Sequence, residues 1–216
     1  MERVVRVEVW LDILCPWCVI GESRLAAAIR RTVDPSRVEV VWRSWELGPN
    51  LDRVPGPTAA DAMRERVRSA DEAEARLEHI CRLASSDGID LNLEEARPVN
   101  SFDAHRLLHL GAEHGRSGEV LSGLLYGYHT EARNIADHDV LTAIGVAAGL
   151  DKRDIVRVLG GDAYADAVRE DERRGMDLGI AGVPTMIIDG GQPLPGARDV
   201  EELRTLLDNA LARVTT

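Results

Sequence analysis

Residues 5–18, Val5-Arg6-Val7-Glu8-Val9-Trp10-Leu11-Asp12-Ile13-Leu14-Cys15-Pro16-Trp17-Cys18, decide the fold. Val5, Val7, Val9 and Leu11 alternate with polar or aromatic residues, which predicts a strand over about 4–12 with one buried face. Cys15-Pro16-Trp17-Cys18 follows at once and leads into a helical stretch reaching about Arg31. Pro16 suits the first helical turn, where its missing N–H has no partner to lose. Both cysteines therefore sit at a strand-to-helix junction. There the free backbone N–H groups and the helix dipole favour negative charge. Cys15 is expected to be more acidic than a free cysteine at roughly 8.5, and only the thiolate attacks a disulfide. Cys18, one turn further in, is placed to resolve the mixed disulfide and release the substrate. Asp12 ends the strand three residues before Cys15; it either modulates the pair electrostatically or is a solvated strand end, and the second reading is preferred.

Working outward, Asp34-Pro35-Ser36 breaks the helix, and residues 37–45 alternate again through Val38, Val40 and Trp42. The result is a β-α-β unit. From Pro49 to Pro57 runs a Pro/Gly-rich loop, and helical periodicity then persists for most of the chain to about residue 177. Leu77, Ile80, Cys81 and Ala84 form one apolar stripe of it, which predicts that Cys81 packs as a small hydrophobe. Strand character returns at Val183-Pro184-Thr185-Met186-Ile187-Ile188, followed by a Gly190-Gly191 turn. A last helix covers about 199–213, with Asp199 placed to cap it and Glu202 three residues on. The fold class is thus α/β: a β-α-β unit and a β-β-α unit split by a large all-helical insertion. Residues 1–57 and 178–216 form one discontinuous domain, and 58–177 the inserted helical domain.

Composition narrows the function. The charge of −11, from 37 acidic and 26 basic residues, opposes a nucleic-acid partner, which needs a basic surface. No apolar run reaches the roughly 20 residues that cross a bilayer, so no membrane partner is expected. Residues 1–10 alternate apolar and charged residues without the apolar core of a secretory leader, so the expectation is the cytoplasm of a bacterium or, more generally, a reducing compartment. Three cysteines cannot build a disulfide framework in a chain of 216 residues. Zinc uses the same Cys-x-x-Cys spacing but needs two further ligands, and no second Cys-x-x-Cys is present. His105 and His109 are four apart on one helix face, yet lack an acidic partner pattern. No metal is expected.

Cys15-Pro16-Trp17-Cys18 after the first strand and Gly182-Val183-Pro184-Thr185 opening a late strand together resemble the thioredoxin superfamily, which implies a thioredoxin fold for the discontinuous domain, residues 1–57 and 178–216. The helical block narrows the resemblance to the DsbA-like family in its FrnE-like branch, related to the 2-hydroxychromene-2-carboxylate isomerases. Asn100-Ser101-Phe102-Asp103-Ala104-His105-Arg106 and Ile135-Ala136-Asp137 carry that part of it. By position alone, Pro184 fits either a trans proline at a strand entrance or a cis one. The resemblance implies cis, beside the active-site disulfide, with the backbone of Val183 open to an extended substrate. It implies Cys15 and Cys18 as catalytic residues, with Pro16, Trp17, Val183, Pro184 and Thr185 supporting substrate. Asn100 and His105 become candidates for lining the groove above the cysteines.

The implied activity is thiol–disulfide exchange on a disulfide-bearing protein or small molecule. No cofactor is bound, and glutathione or a thioredoxin-type reductant serves as electron partner. Trp17 stands where many DsbA-type oxidases carry a charged histidine, and the cytosol is reducing. Reduction or isomerisation is therefore expected ahead of oxidation. Two alternatives stay open: a glutathione-dependent isomerase of a small aromatic or polyketide substrate, and a non-catalytic chaperone-like binding module. The isomerases typically keep one serine at the first cysteine position, and this chain has both cysteines.

Overall fold

The computed structural model describes residues 4–213. Of the N-terminal stretch read above for a leader, residues 1–3 lie outside the described residues. The chain divides into two compact units, one reaching to Trp45 and resuming at Asp171, the other Glu46–Glu170.

The first unit contains β1 (Val5–Leu11), α1 (Pro16–Arg30) and β2 (Val38–Ser44), then β3 (Thr185–Ile188), β4 (Leu194–Pro195) and α9 (Val200–Arg213). Its sheet has the order β2-β1-β3-β4. β1 runs parallel to β2, from Val5 opposite Val38 to Leu11 opposite Ser44. It runs antiparallel to β3, from Val7 opposite Ile188 to Trp10 opposite Thr185. The thioredoxin-type arrangement thus follows from one crossover helix and one hairpin. α1 packs on α9, with Leu25, Ala28, Leu203 and Leu207 buried alongside Val5, Val7 and Val9.

Sequence alternation predicts one buried face for β1, but Glu8 and Trp10 are buried as well. The cause is the end of α8 (Ala165–Asp177). Arg43 Nη2 lies 2.6 Å from Glu8 Oε1, and Arg174 Nη2 2.7 Å from Glu8 Oε2. Asp171 pairs with Arg43 at 2.9 Å and accepts from Ser44 N at 3.1 Å, while its carbonyl accepts from the Trp10 indole at 2.8 Å. A charged residue on a central strand is tolerated because its charge is paired and hydrogen-bonded there.

The late hairpin is present, with a longer connection than a Gly-Gly turn. β3 ends at Ile188, Asp189 and Gly190 adopt positive φ, and β4 has only two residues. Asp199 caps α9 through Glu201 N at 2.8 Å, whereas Glu202 pairs with Arg198.

The second unit holds α2 (Ala59–Arg64), α3 (Ala70–Ser86), α4 (Phe102–Glu113), α5 (Ser117–His129), α6 (His138–Ala147) and α7 (Lys152–Gly160), plus the start of α8. α4 packs against α5, α6 and α7 around Leu107, Leu110, Leu121, Leu124, Leu141 and Ile155. The structural division falls at 45/46 and 170/171, where the sequence reading placed it at 57/58 and 177/178. Hydrogen bonds explain both displacements. The loop after Trp45 is held by Asn100 N on Asp52 O (2.9 Å), Asn134 Nδ2 on Arg53 O (3.1 Å) and Arg53 Nη2 on Ala136 O (2.9 Å). At the other end, Asp171 and Arg174 belong with the sheet. Cys81 is also a correction: it is partly exposed, because the buried stripe of α3 runs through Ala73, Leu77, Ile80 and Ala84 and passes it by. Among the described residues no helix is long and apolar enough to cross a membrane.

Candidate active site

Cys15 is itself the N-cap of α1, with extended backbone (φ −85°, ψ 115°), and Pro16 occupies the first helical position. Cys15 N donates to Asp12 O at 3.2 Å and Cys18 N to Cys15 O at 2.9 Å, so the junction is a tight, hydrogen-bonded turn. No acidic residue lies in the first turn of α1 to oppose a thiolate there. Cys15 and Cys18 are both reduced, 4% and 1% exposed. Burial pushes the Cys18 thiol well above its ordinary value, and the hydrogen bond and charge of Cys15 act in the same direction. Cys18 therefore keeps its proton while Cys15 reacts.

Sequence-distant residues complete the site. The Val183–Pro184 peptide bond is cis. The Cys15 thiol donates to Val183 O at 3.6 Å. Thr185 begins β3, is buried, and donates from Oγ1 to Gly182 O at 2.7 Å. Trp17 and Pro16 are half-buried beside the cysteines. The structure thus brings Val183 to Cys15, with Pro16 and Trp17 next to the pair along the chain and Pro184 and Thr185 directly after Val183.

Asn100 and His105 belong to the helical unit. Asn100 Nδ2 donates to Pro49 O at 3.1 Å, and His105 is fully buried on α4. Their neighbour Asp103 gathers Arg53 and His138 Nε2 on one oxygen (2.8 Å each) and Arg106 on the other (2.7 Å). Burial pushes the Asp103 carboxyl up, but the hydrogen bonds from His138 and Arg106 and the charges of Arg53 and Arg106 leave it below its ordinary range. Arg106 also donates to Val158 O, to Gly161 O at 2.7 Å and to Ala163 O at 2.8 Å. Among the described residues no group of three or more His, Cys, Asp or Glu could hold a metal ion.

The sequence reading misplaced one residue and passed over another. Asp12 is fully buried, not solvated, and its Oδ1 accepts from Leu14 N at 3.3 Å. The polar turn that follows a strand end suggests solvent, but this turn folds back over the carboxyl. Asp12 acts on the Cys18 thiol in both directions: a hydrogen bond to its main chain lowers it and its charge raises it. Gly21 is the other: a Cβ there would stand 3.1 Å from Pro184 Cγ, tighter than ordinary van der Waals contact, so glycine gives α1 room against the proline. A glycine within a predicted helix was the available signal.

Comparison with known proteins agrees with this geometry. Residues 6–208 match the DSBA-like thioredoxin domain. YwbO of Bacillus subtilis is 27% identical over 206 residues, covering 92% of this chain and 94% of YwbO. A probable DsbA oxidoreductase from Streptomyces coelicolor is 33% identical, with a TM-score of 0.89 over 96% of this chain and 90% of its own. The fold is shared by the cytosolic disulfide reductase DsbM of Pseudomonas aeruginosa (20% identity, TM-score 0.62, 97% of both chains). It is shared too by 2-hydroxychromene-2-carboxylate isomerase (15% identity, TM-score 0.70, 97% and 96%), the second relationship expected of the FrnE-like branch. The chain belongs to the DsbA-like thioredoxin domain family of disulfide oxidoreductases.

Proposed function

We infer that this protein reduces or isomerises disulfides with the Cys15–Cys18 pair as its working group. One observation carries the reading: Cys15 caps α1 with its thiol against Val183 O, next to cis-Pro184, while Cys18 is buried one turn in. The Cys15 thiolate attacks one sulfur of the substrate disulfide; a bond forms between them and the other substrate sulfur leaves as a thiolate. Cys18 then loses its proton and attacks the Cys15 sulfur. That step closes the Cys15–Cys18 disulfide and releases the second substrate thiol. Two electrons have passed to the substrate, and glutathione or a thioredoxin-type dithiol returns them, so no bound cofactor is required.

Cys18 needs a proton acceptor inside the protein, and the buried carboxyl of Asp12 fills that role. Pro16 and Trp17 rim the pair. Val183 offers main-chain groups to an extended substrate, with Pro184 and Thr185 holding that segment in place. Asn100 and His105 remain candidates for the groove. The similar Pseudomonas reductase is cytosolic and has been solved with GSH, which supports glutathione as a partner and the cytoplasm as the compartment. The reading includes neither a nucleic-acid nor a membrane partner.

Insulin reduction with glutathione as electron source tests the reading. Cys15→Ser is expected to lower the rate at least about 1,000-fold. Glutathione-dependent isomerisation of a small aromatic or polyketide substrate that survives Cys15→Ser, with no reduction by the wild type, would favour the isomerase. Suppression of client aggregation indifferent to both cysteines, again with no reduction, would favour a chaperone-like module.

A further inference from the structure

Helices α5 and α6 of the helical unit pack side by side and run antiparallel. A Cβ on Gly123, in the middle of α5, would stand 2.9 Å from Ile144 Cγ2. One on Gly149, just past α6, would stand 3.7 Å from Arg116 Nε at the start of α5. A recess of about 320 Å³ lies on this pair of helices. Small residues line it, Gly123 on α5 and Ala143, Ala147 and Ala148 on α6, with the buried Ile144 among them. Tyr126 lines it too, one turn along α5 from Gly123, and is 57% exposed. Val146, next to Ala147, is 46% exposed. Aromatics make up only 4% of the chain, so a tyrosine ring left in water beside an apolar recess marks a surface that gains by being covered.

The charges around the recess say what covers it. At one end Arg116 pairs with Glu119 at 2.9 Å, and at the other Arg133 pairs with Glu131 at 2.8 Å. All four side chains are exposed. A strongly acidic or basic partner would meet a like charge at both ends. A second copy would not. A two-fold axis through the middle of the face lays each end on the opposite end of the partner, so every contact occurs twice. Glu119 of one copy then meets Arg133 of the other, and Arg116 meets Glu131. Tyr126 lies toward the Arg133 end of α5, and Ala147 toward the Arg116 end of α6. The same rotation therefore sets the ring of one copy over the small side chains of the other. Knob, recess and both signs of charge all belong to one face, as a self-complementary interface requires.

We propose that the α5–α6 face is a dimer interface between two copies of this chain, with Tyr126 of each copy seated over Ala147 of the other.

Sedimentation equilibrium from about 1 to about 300 µM, in dithiothreitol to exclude intermolecular disulfides, tests this. The wild type is expected to reach twice the mass of one chain within that range. Tyr126→Ala and, independently, Ala147→Glu should each weaken association at least about tenfold while keeping the wild-type circular dichroism. Glu119→Arg alone and Arg133→Glu alone each set like charges against one another across the axis, and should weaken it by a similar factor. An equimolar mixture of those two charge variants should associate within about threefold of the wild type, because the mixed pair restores both opposite-charge contacts. A wild type that stays a single chain throughout overturns the proposal and leaves the face to a different partner. A dimer unmoved by both Tyr126→Ala and Ala147→Glu overturns it, as does a mixture that associates no better than either charge variant alone.

Discussion

Two polar centres carry the sequence resemblance, and they are built in opposite ways. Around α4 in the helical unit, Asp103 and Arg106 are saturated. The carboxylate receives Arg53, His138 and Arg106, and the guanidinium adds three main-chain carbonyls to that pair. At the start of α1 the polar atoms are left ready to change partners. Cys15 has a long contact to Val183 O and a hydrogen bond with the Cys18 thiol, and Cys18 keeps its proton beside the buried Asp12. Saturated polar groups fix a structure, whereas unsaturated ones at a helix N-terminus do chemistry. Asn100–Arg106 ties down the loop after Trp45, and Cys15–Cys18 reacts.

Breaking the saturated centre should give the largest effect. Arg106→Ala leaves Asp103 short of its buried partner and takes the side-chain donor from the carbonyls of Gly161 and Ala163. It should cost about 3–5 kcal/mol in denaturant unfolding, while disulfide exchange per folded molecule holds. Equal stability with lost exchange would reverse the roles assigned to the two centres.

At the reactive centre, Asp12→Asn removes the acceptor for the Cys18 proton. Resolution of the mixed disulfide should slow roughly 10- to 100-fold at neutral pH and recover toward the wild-type rate as pH rises and hydroxide takes the proton directly. A pH-independent loss would assign Asp12 a packing role only.

The two centres also differ in their response to acid. Asp103 is held below its ordinary carboxylate range, so its contribution is present above the unfolded value of roughly 3.9 and is lost as pH falls through the lower folded value. Glu22 on α1 behaves in the opposite sense. Burial raises its carboxyl, only partly offset by the Arg30 charge, so its contribution is present below the unfolded value and is lost as pH rises through the folded one. Glu22→Gln should therefore raise the melting midpoint by about 2–4 °C at pH 7 and by little near pH 4. This is the smallest of the expected effects, and a destabilisation at pH 7 would contradict it.

Much of this comparison was legible in the sequence where periodicity and local chemistry coincide. The alternation ahead of Cys15, the proline at the first helical position and the proline-led late strand sufficed for the β-α-β and β-β-α frame. Trp10 and Glu8 were misplaced because burial of a central strand's second face depends on α8, more than 150 residues later in the chain. Asp12 was misplaced because a carboxylate at a strand end looks the same whether the next turn folds over it or not. Cys81 was off by one position in a helical stripe, which moves a side chain by about 100°.

The most direct test of the central claim is to trap the mixed disulfide. Cys18→Ala, reduced and mixed with a disulfide-bearing peptide, is predicted to accumulate a covalent adduct that peptide mapping assigns to Cys15 and that dithiothreitol releases. No adduct, or one carried by Cys81, would contradict the account.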